Sequence, residues 1–204
     1  MGKQMTLNEL ANKYGTDKGD LHHEKHCYAD VYGDILKPYR DKEVNFVEIG
    51  INDPRFPGAS IRMWNEYFEK ATYRGLDINL DKTVNKVALE YGGALLYNVD
   101  QTNAQQLYEF GESIPAIDFV VDDGIHTHEA QMVSFKTLFP NLRSGGIYFI
   151  EDCHAKDCGN TIGYFTNVQQ LVRGEEIRTR VENPGDIDKV EFYNNNKLIV
   201  IYKA

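Results

Sequence analysis

The 204-residue sequence has no run of about 18 apolar residues, so no segment is long enough to cross a bilayer as a helix. Its opening, Met1-Gly-Lys-Gln-Met5, passes directly into polar, helix-like sequence without the apolar core of a signal peptide. Gly2 with Thr6 matches the myristoylation pattern, which is too short a signal to build on. Basic residues are scarce. There are 22 Lys and Arg against 31 Asp and Glu, and the formal net charge of −9 argues against a nucleic-acid partner. Only three cysteines occur, an odd number at irregular spacing. No disulfide framework follows, and the expectation is a reduced, cytoplasmic protein. Repeats, low-complexity tracts and a dividing linker are missing as well. One domain over residues 1–204 is expected, with a helical cap at 1–40 and a core at 44–204.

What is present is organised around Asp118-Phe-Val-Val-Asp-Asp-Gly-Ile-His126. A short apolar run that stops at Asp and Gly reads as a buried parallel strand. In an open α/β sheet, ligands sit beyond the carboxyl ends of the strands. Asp123 and, three residues on, His126 therefore lie at such an end. A second strand, Gly146-Ile-Tyr-Phe-Ile150, ends in Glu151-Asp152. If the two strands are neighbours, Asp123, Glu151 and Asp152 meet, and three hard oxygen ligands suit Mg²⁺ or a similar divalent ion. Asp122 is assigned to supporting the loop.

The rest of the chain alternates. A helix over residues 5–14 has Thr6 as N-cap and Glu9 three positions on. A polar loop carries Thr16, Asp17 and Lys18, placed either to fold over a ligand or to form an ordinary capped turn. Zinc is conceivable at His22, His26 and Cys27, although their spacing fits no standard finger, and Cys153, His154 and Cys158 could bind it too. They read as lid and strand-end residues. Tyr28–Leu36 is an amphipathic helix ended by Pro38. Val44–Gly50 is the first strong strand, followed by a loop with Pro54 and Pro57 and a helix from Ala59 or Ser60. Gly50 permits close approach of a ligand, and the helix start offers free N–H groups to an anionic one. Strands at Thr72–Asp77 and Ala94–Asp100 each end in Asp, and an acid at Asp77 suits ribose hydroxyls. Helices are expected at 80–91, 104–110, 130–142 and 163–172. A turn is expected at Arg143–Gly146, and a hairpin at Lys189–Tyr193 and Lys197–Tyr202. The sum is a doubly wound α/β sheet with a terminal antiparallel hairpin.

These residues together resemble a class I S-adenosylmethionine (SAM)-dependent methyltransferase with its Rossmann-like sheet. Glu48-Ile-Gly50 resembles motif I, Asp77 the ribose-binding acid, and Asp100 the position facing the adenine amino group. More narrowly, the chain is similar to the metal-dependent sugar O-methyltransferases of the mycinamicin and macrocin type and to the cephalosporin hydroxylase-like group. Tyr14-Gly-Thr-Asp-Lys-Gly19, Val47–Gly50, Gly58–Trp64, Asp118–His126, Ser134-Phe, Leu138-Phe-Pro and Gly145–His154 carry the likeness, in this order. The resemblance implies Asp123, Glu151 and Asp152 as metal ligands and His126 as the base, working with Asp123. It implies SAM contacts among Glu48, Gly50, Ser60, Asp77, Asp100, Asp122, Thr16 and Lys18. The implied reaction is transfer of the SAM methyl to a hydroxyl of a small molecule, a sugar or sugar nucleotide, assisted by Mg²⁺. Two departures stand out. Asn52–Pro57 replaces the usual glycine-rich turn, and no large added domain is seen.

Competing classes are a metal-independent N-methyltransferase acting on an amine or phosphoramidate, a non-catalytic SAM-binding protein, and a nucleotide-dependent oxidoreductase. The last should show G-x-G-x-x-G, which is missing. A homo-oligomer is compatible with Trp64, Tyr67 and the many tyrosines.

Overall fold

The computed structural model describes residues 4–21, 26–80, 82–90, 94–153, 158–176 and 186–204, the side chains at 82, 83 and 89 excepted. The elements are α1 (Leu7–Tyr14), α2 (Tyr28–Leu36), β1 (Asn45–Ile49), α3 (Ala59–Tyr67), β2 (Thr72–Asp77), α4 (Lys82–Glu90) and β3 (Leu95–Asn98). They continue with α5 (Ala104–Glu112), β4 (Ile117–Asp122), α6 (His128–Leu138), β5 (Leu142–Ile150), α7 (Gly159–Val172), β6 (Ile187–Tyr193) and β7 (Leu198–Lys203). The strands form one sheet in the order β3-β2-β1-β4-β5-β7-β6. Neighbours from β3 to β5 are parallel, and β7 lies antiparallel between β5 and β6. The doubly wound sheet with its terminal hairpin is as expected, and β4 is adjacent to both β1 and β5.

Alternation along the strands builds two cores. Phe46, Phe119, Val121, Ile147 and Phe149 face a layer made with α1, α2, α3 and α4. Val47, Val120, Tyr148 and Ile150 face the other, made with α5, α6 and α7. Every residue of β4 is buried, as a central parallel strand covered on both faces must be. The strongest local signals hold. Thr6 caps α1 with a reciprocal bond to Glu9, and Thr127 caps α6 by accepting from Ala130 N at 3.3 Å.

Several boundaries differ from expectation, among them the start of α7 at Gly159 rather than 163 and the end of α5 at Glu112 rather than 110, and two have a clear physical reason. The α6 helix stops at Leu138 rather than 142, because Pro140 removes a backbone donor and a short 3-10 turn (Phe139–Asn141) takes over. Residues 143–146 are not a turn. They extend β5 to nine residues, with Leu142 already paired to Ile117 and a register shift before Ile147.

Candidate active site

Backbone pairing draws the strand ends together. Ile49 of β1 and Ile150 of β5 both lie beside Asp122 of β4. Past those ends the ladder continues, with Asp123 N donating to Ile49 O at 3.0 Å and Glu151 N to Asp122 O at 3.0 Å. Gly50 sits at φ +85°, and a Cβ there would lie 2.0 Å from the Asp123 carbonyl oxygen. Only glycine lets these two chain ends touch. The missing side chain is thus first a requirement of packing, although Gly50 also lines the cavity beyond. That cavity has a volume of about 360 Å³, and its walls include Thr16, Lys18, Gly50, Ser60, Asp77, Asp100, Asp123, His126 and Asp152.

Asp123, His126 and Asp152 offer ligand atoms that all lie within 4.8 Å of one another. His126 Nε2 is 3.5 Å from Asp152 Oδ2 and 3.9 Å from Asp123 Oδ1. Asp152 has φ +54° and accepts a 2.7 Å hydrogen bond from the Tyr28 hydroxyl. His26 stacks on Tyr28 and brings its Nδ1 to 3.5 Å from Asp152 Oδ1. Burial works to raise the Asp152 carboxyl, but the Tyr28 bond and the two histidines outweigh it and hold the group below its ordinary value.

Glu151 does not join this cluster, which departs from the ligand set implied by resemblance. It is buried, accepts from the Tyr32 hydroxyl at 2.6 Å, and meets the Lys18 ammonium at 2.9 Å. Lys18 also reaches Asp123 Oδ2 at 2.5 Å. Burial and the charge of Asp123 push the Glu151 carboxyl well up. Burial alone would lower the Lys18 ammonium, yet the charges of Asp123 and Glu151 raise it well above its ordinary value, so it stays protonated. Lys18, expected as a cofactor contact, therefore has its ammonium engaged by carboxylates. Thr16 is buried too, and its Oγ1 accepts from Lys18 N at 3.0 Å.

On the side of β1, β2 and β3, Asp77 Oδ2 accepts from Asn52 N at 3.0 Å and Oδ1 from Asn79 N at 2.8 Å. Asp100 Oδ1 accepts from the backbone and hydroxyl of Thr102, which lowers its carboxyl pKa. The Asn52 Oδ1 atom is buried without a hydrogen-bond partner. Two expected cofactor contacts are turned into the core instead. Glu48 is fully buried and accepts from Ser60 at 3.0 Å, Trp64 Nε1 at 3.1 Å and the Tyr73 hydroxyl. Asp122 accepts from Gln101 Nε2 at 2.6 Å, Tyr148 at 3.2 Å and Ser134, and burial pushes its carboxyl up to about 6. A carboxylate so fully hydrogen-bonded to core donors has its acceptor sites filled.

Sequence reasoning missed the partners of these acids. Tyr28 and Tyr32 read as inward-facing helix residues, with no sign that their hydroxyls end on Asp152 and Glu151. Gln101 follows Asp100 directly. It bonds Asp122 and accepts from Ile125 N at 2.7 Å, so it braces the loop bearing His126. Its position just past a strand end was the available signal. His22 and His154 lie outside the described residues. Cys153 and Cys158 are buried, and the group they would form with His154 therefore lies partly outside the described residues.

No family model matches the chain. It is 36% identical over 146 residues to an 8-demethyl-8-alpha-L-rhamnosyl tetracenomycin-C 2'-O-methyltransferase of Streptomyces olivaceus. That match covers 70% of this chain and 36% of the relative. It is 37% identical over 150 residues to demethylmacrocin O-methyltransferase of Streptomyces fradiae, covering 72% of this chain and 36% of that one. Among solved structures, MycE methyltransferase from the mycinamycin biosynthetic pathway, in complex with Mg, SAH and mycinamycin VI, superposes with a TM-score of 0.81. The identity there is 25%, over 99% of this chain and 55% of MycE. The chain thus spans about half, or less, of the length of the relatives it matches.

Proposed function

We propose, from the homology of this chain to O-methyltransferases of the macrocin, mycinamicin and tetracenomycin type, that it binds SAM and a divalent cation and methylates a hydroxyl of a glycosylated small molecule. The observation that carries the reading is the convergence of Asp123, Asp152 and His126 on one cavity wall within 4.8 Å of one another. Ligand atoms about 2 Å from a shared ion stand roughly 3–4 Å apart, so Asp123 and Asp152 suit one divalent cation with His126 beside it. Asp77 and Asp100 line the same cavity, where the ribose and adenine of SAM would lie.

When bound, SAM supplies a methyl group on a sulfonium leaving group, and the cation lowers the pKa of the acceptor hydroxyl. Asp123 Oδ1 and Asp152 Oδ2 would hold the cation. His126 Nε2 would take the proton that the acceptor hydroxyl gives up on methylation. The carboxylates beside that nitrogen offset the charge the proton brings. Tyr28 fixes Asp152, and the Gln101 bond to the Ile125 backbone fixes the loop that carries His126. Much of the acceleration comes from aligning two reactants. Residues 1–40 serve as a cap on the core at 44–204, a role supported by the reach of Lys18, Tyr28 and Tyr32 to strand-end carboxylates.

The wall charges favour an uncharged acceptor. Asp17, Asp53, Asp77, Asp100, Asp123 and Asp152 line the cavity, and both basic side chains there, Lys18 and Arg55, are already paired with carboxylates. A neutral glycoside suits such walls better than a nucleotide sugar, whose phosphates would be repelled. Calorimetric titration with SAM and SAH, followed by labelled methyl transfer to neutral glycosides and to nucleotide sugars, tests the proposal. Binding of SAM with label on the glycosides is expected, and absence of SAM binding would overturn it.

A further inference from the structure

Lys18 is the one buried lysine among the described residues, with its side chain 2% exposed. Its ammonium bridges Asp123 Oδ2 and Glu151 Oε2, one carboxylate from each of two adjacent strand ends. The backbone around it is tied down. Lys18 O accepts from Ala29 N at 2.9 Å, and Lys18 N donates to Thr16 Oγ1 at 3.0 Å. The ammonium is thus delivered to the strand ends by a segment anchored on the start of α2. Asp123 divides its two oxygens, with Oδ2 on Lys18 and Oδ1 facing His126. Glu151 engages both of its oxygens, Oε1 with Tyr32 and Oε2 with Lys18.

Formal charges make the arrangement specific. Lys18 sets one positive charge between the carboxyl groups at the ends of β4 and β5. An ammonium held this close to a cation site also repels the cation, strongly so where water is excluded. We infer that Lys18 is a built-in counter-ion of the metal site: it keeps the carboxylates together without metal, competes with a cation for Asp123 and Glu151, and sets divalent-ion affinity lower than the acids alone would give. This rests on the metal reading of the site proposed above and goes beyond it, since the sequence suggested only a cofactor contact for Lys18. A lysine that merely pins the N-terminal segment predicts the opposite effect on metal, because losing it would loosen the site.

The test is Mn²⁺ binding, followed by electron paramagnetic resonance, to the full chain and to Lys18→Met and Lys18→Arg, with thermal unfolding of each in EDTA and in saturating Mn²⁺. Lys18→Met should bind Mn²⁺ at least ten-fold tighter, melt lower than wild type in EDTA, and gain more from Mn²⁺ than wild type does. Lys18→Arg keeps the charge and should stay within a few-fold of wild type. A Lys18→Met chain that is unfolded in EDTA and folds on adding Mn²⁺ also supports the inference. One that binds Mn²⁺ no tighter than a Mn²⁺-binding wild type, or stays unfolded at every Mn²⁺ concentration, overturns the role of Lys18 alone. If neither protein binds Mn²⁺ while wild type binds SAM, the metal reading itself falls and takes this inference with it.

Discussion

The Tyr28 hydroxyl donates to Asp152 Oδ1 at 2.7 Å, which ties the first turn of α2 to the end of the strand that bears the site. Asp152 sits at φ +54°, a conformation that non-glycine residues adopt at a cost, and the bond helps hold it there. Tyr28→Phe removes this 2.7 Å donor and leaves Asp152 Oδ1 with the longer 3.5 Å approach of His26 Nδ1. The variant should lose about 1–3 kcal/mol of stability and bind Mn²⁺ several-fold more weakly. Chemical denaturation and a metal titration measure both, and no change in either would show that the bond does not matter.

Gly50 and Asp123 make a second dependence. A methyl group on Gly50 would fall 2.0 Å from the Asp123 carbonyl oxygen, and the residue is at φ +85°. Gly50→Ala should cost about 3 kcal/mol or more, and any folded fraction should bind metal poorly because Asp123 is displaced. Thermal unfolding decides it. A shift of less than about 2 °C would contradict the packing role of this glycine.

Glu48 supplies a prediction in pH. Burial pushes its carboxyl above the ordinary 4.5, with the Lys18 charge and the bonds from Tyr73 and Trp64 pulling back down. A folded pKa above the unfolded one means this group favours the folded state most below pH 4.5, and loses that contribution as pH rises through the folded value. Glu48→Gln has no such dependence. Urea denaturation of both proteins at pH 4.5 and pH 8 should show the difference in stability moving in favour of Gln at the higher pH. A difference that is constant, or moves the other way, would contradict it.

The sheet was legible because its rules are local. Apolar runs ending in Asp or Gly mark parallel strands, and the Asn194–Asn196 turn with β-rich flanks marks a hairpin. That Asp123 and His126 meet the Glu151-Asp152 pair was legible because adjacent strands bring sequence-distant ends together, and β4 beside β5 is the default for this topology; that Glu151 turns to Tyr32 and Lys18 was not. The partners of the buried acids were not. Whether Glu48 faces a ligand or Trp64 depends on which way its side chain points near the end of β1, and that is decided by α3 packing across the sheet. Lys18 was seen as a loop lysine, because nothing in Gly15–Asp20 reveals that α2 pulls the segment over the carboxyl ends of the strands. Residues 143–146 misled for a related reason. Two glycines in a row signal a turn locally, but pairing of Leu142 with Ile117 keeps the chain extended.

The central claim is that the acids at the ends of β4 and β5 hold a divalent cation for methyl transfer from SAM. The most direct measurement is methyl transfer from labelled SAM to a neutral glycoside panel after EDTA treatment, with and without added Mg²⁺, for wild type, Asp123→Ala and His126→Ala. The account predicts activity lost in EDTA and restored by Mg²⁺ in wild type, no rescue in Asp123→Ala, and a 10²–10⁴-fold lower turnover in His126→Ala with SAM binding retained. Turnover indifferent to EDTA, or equal in wild type and Asp123→Ala, would contradict it.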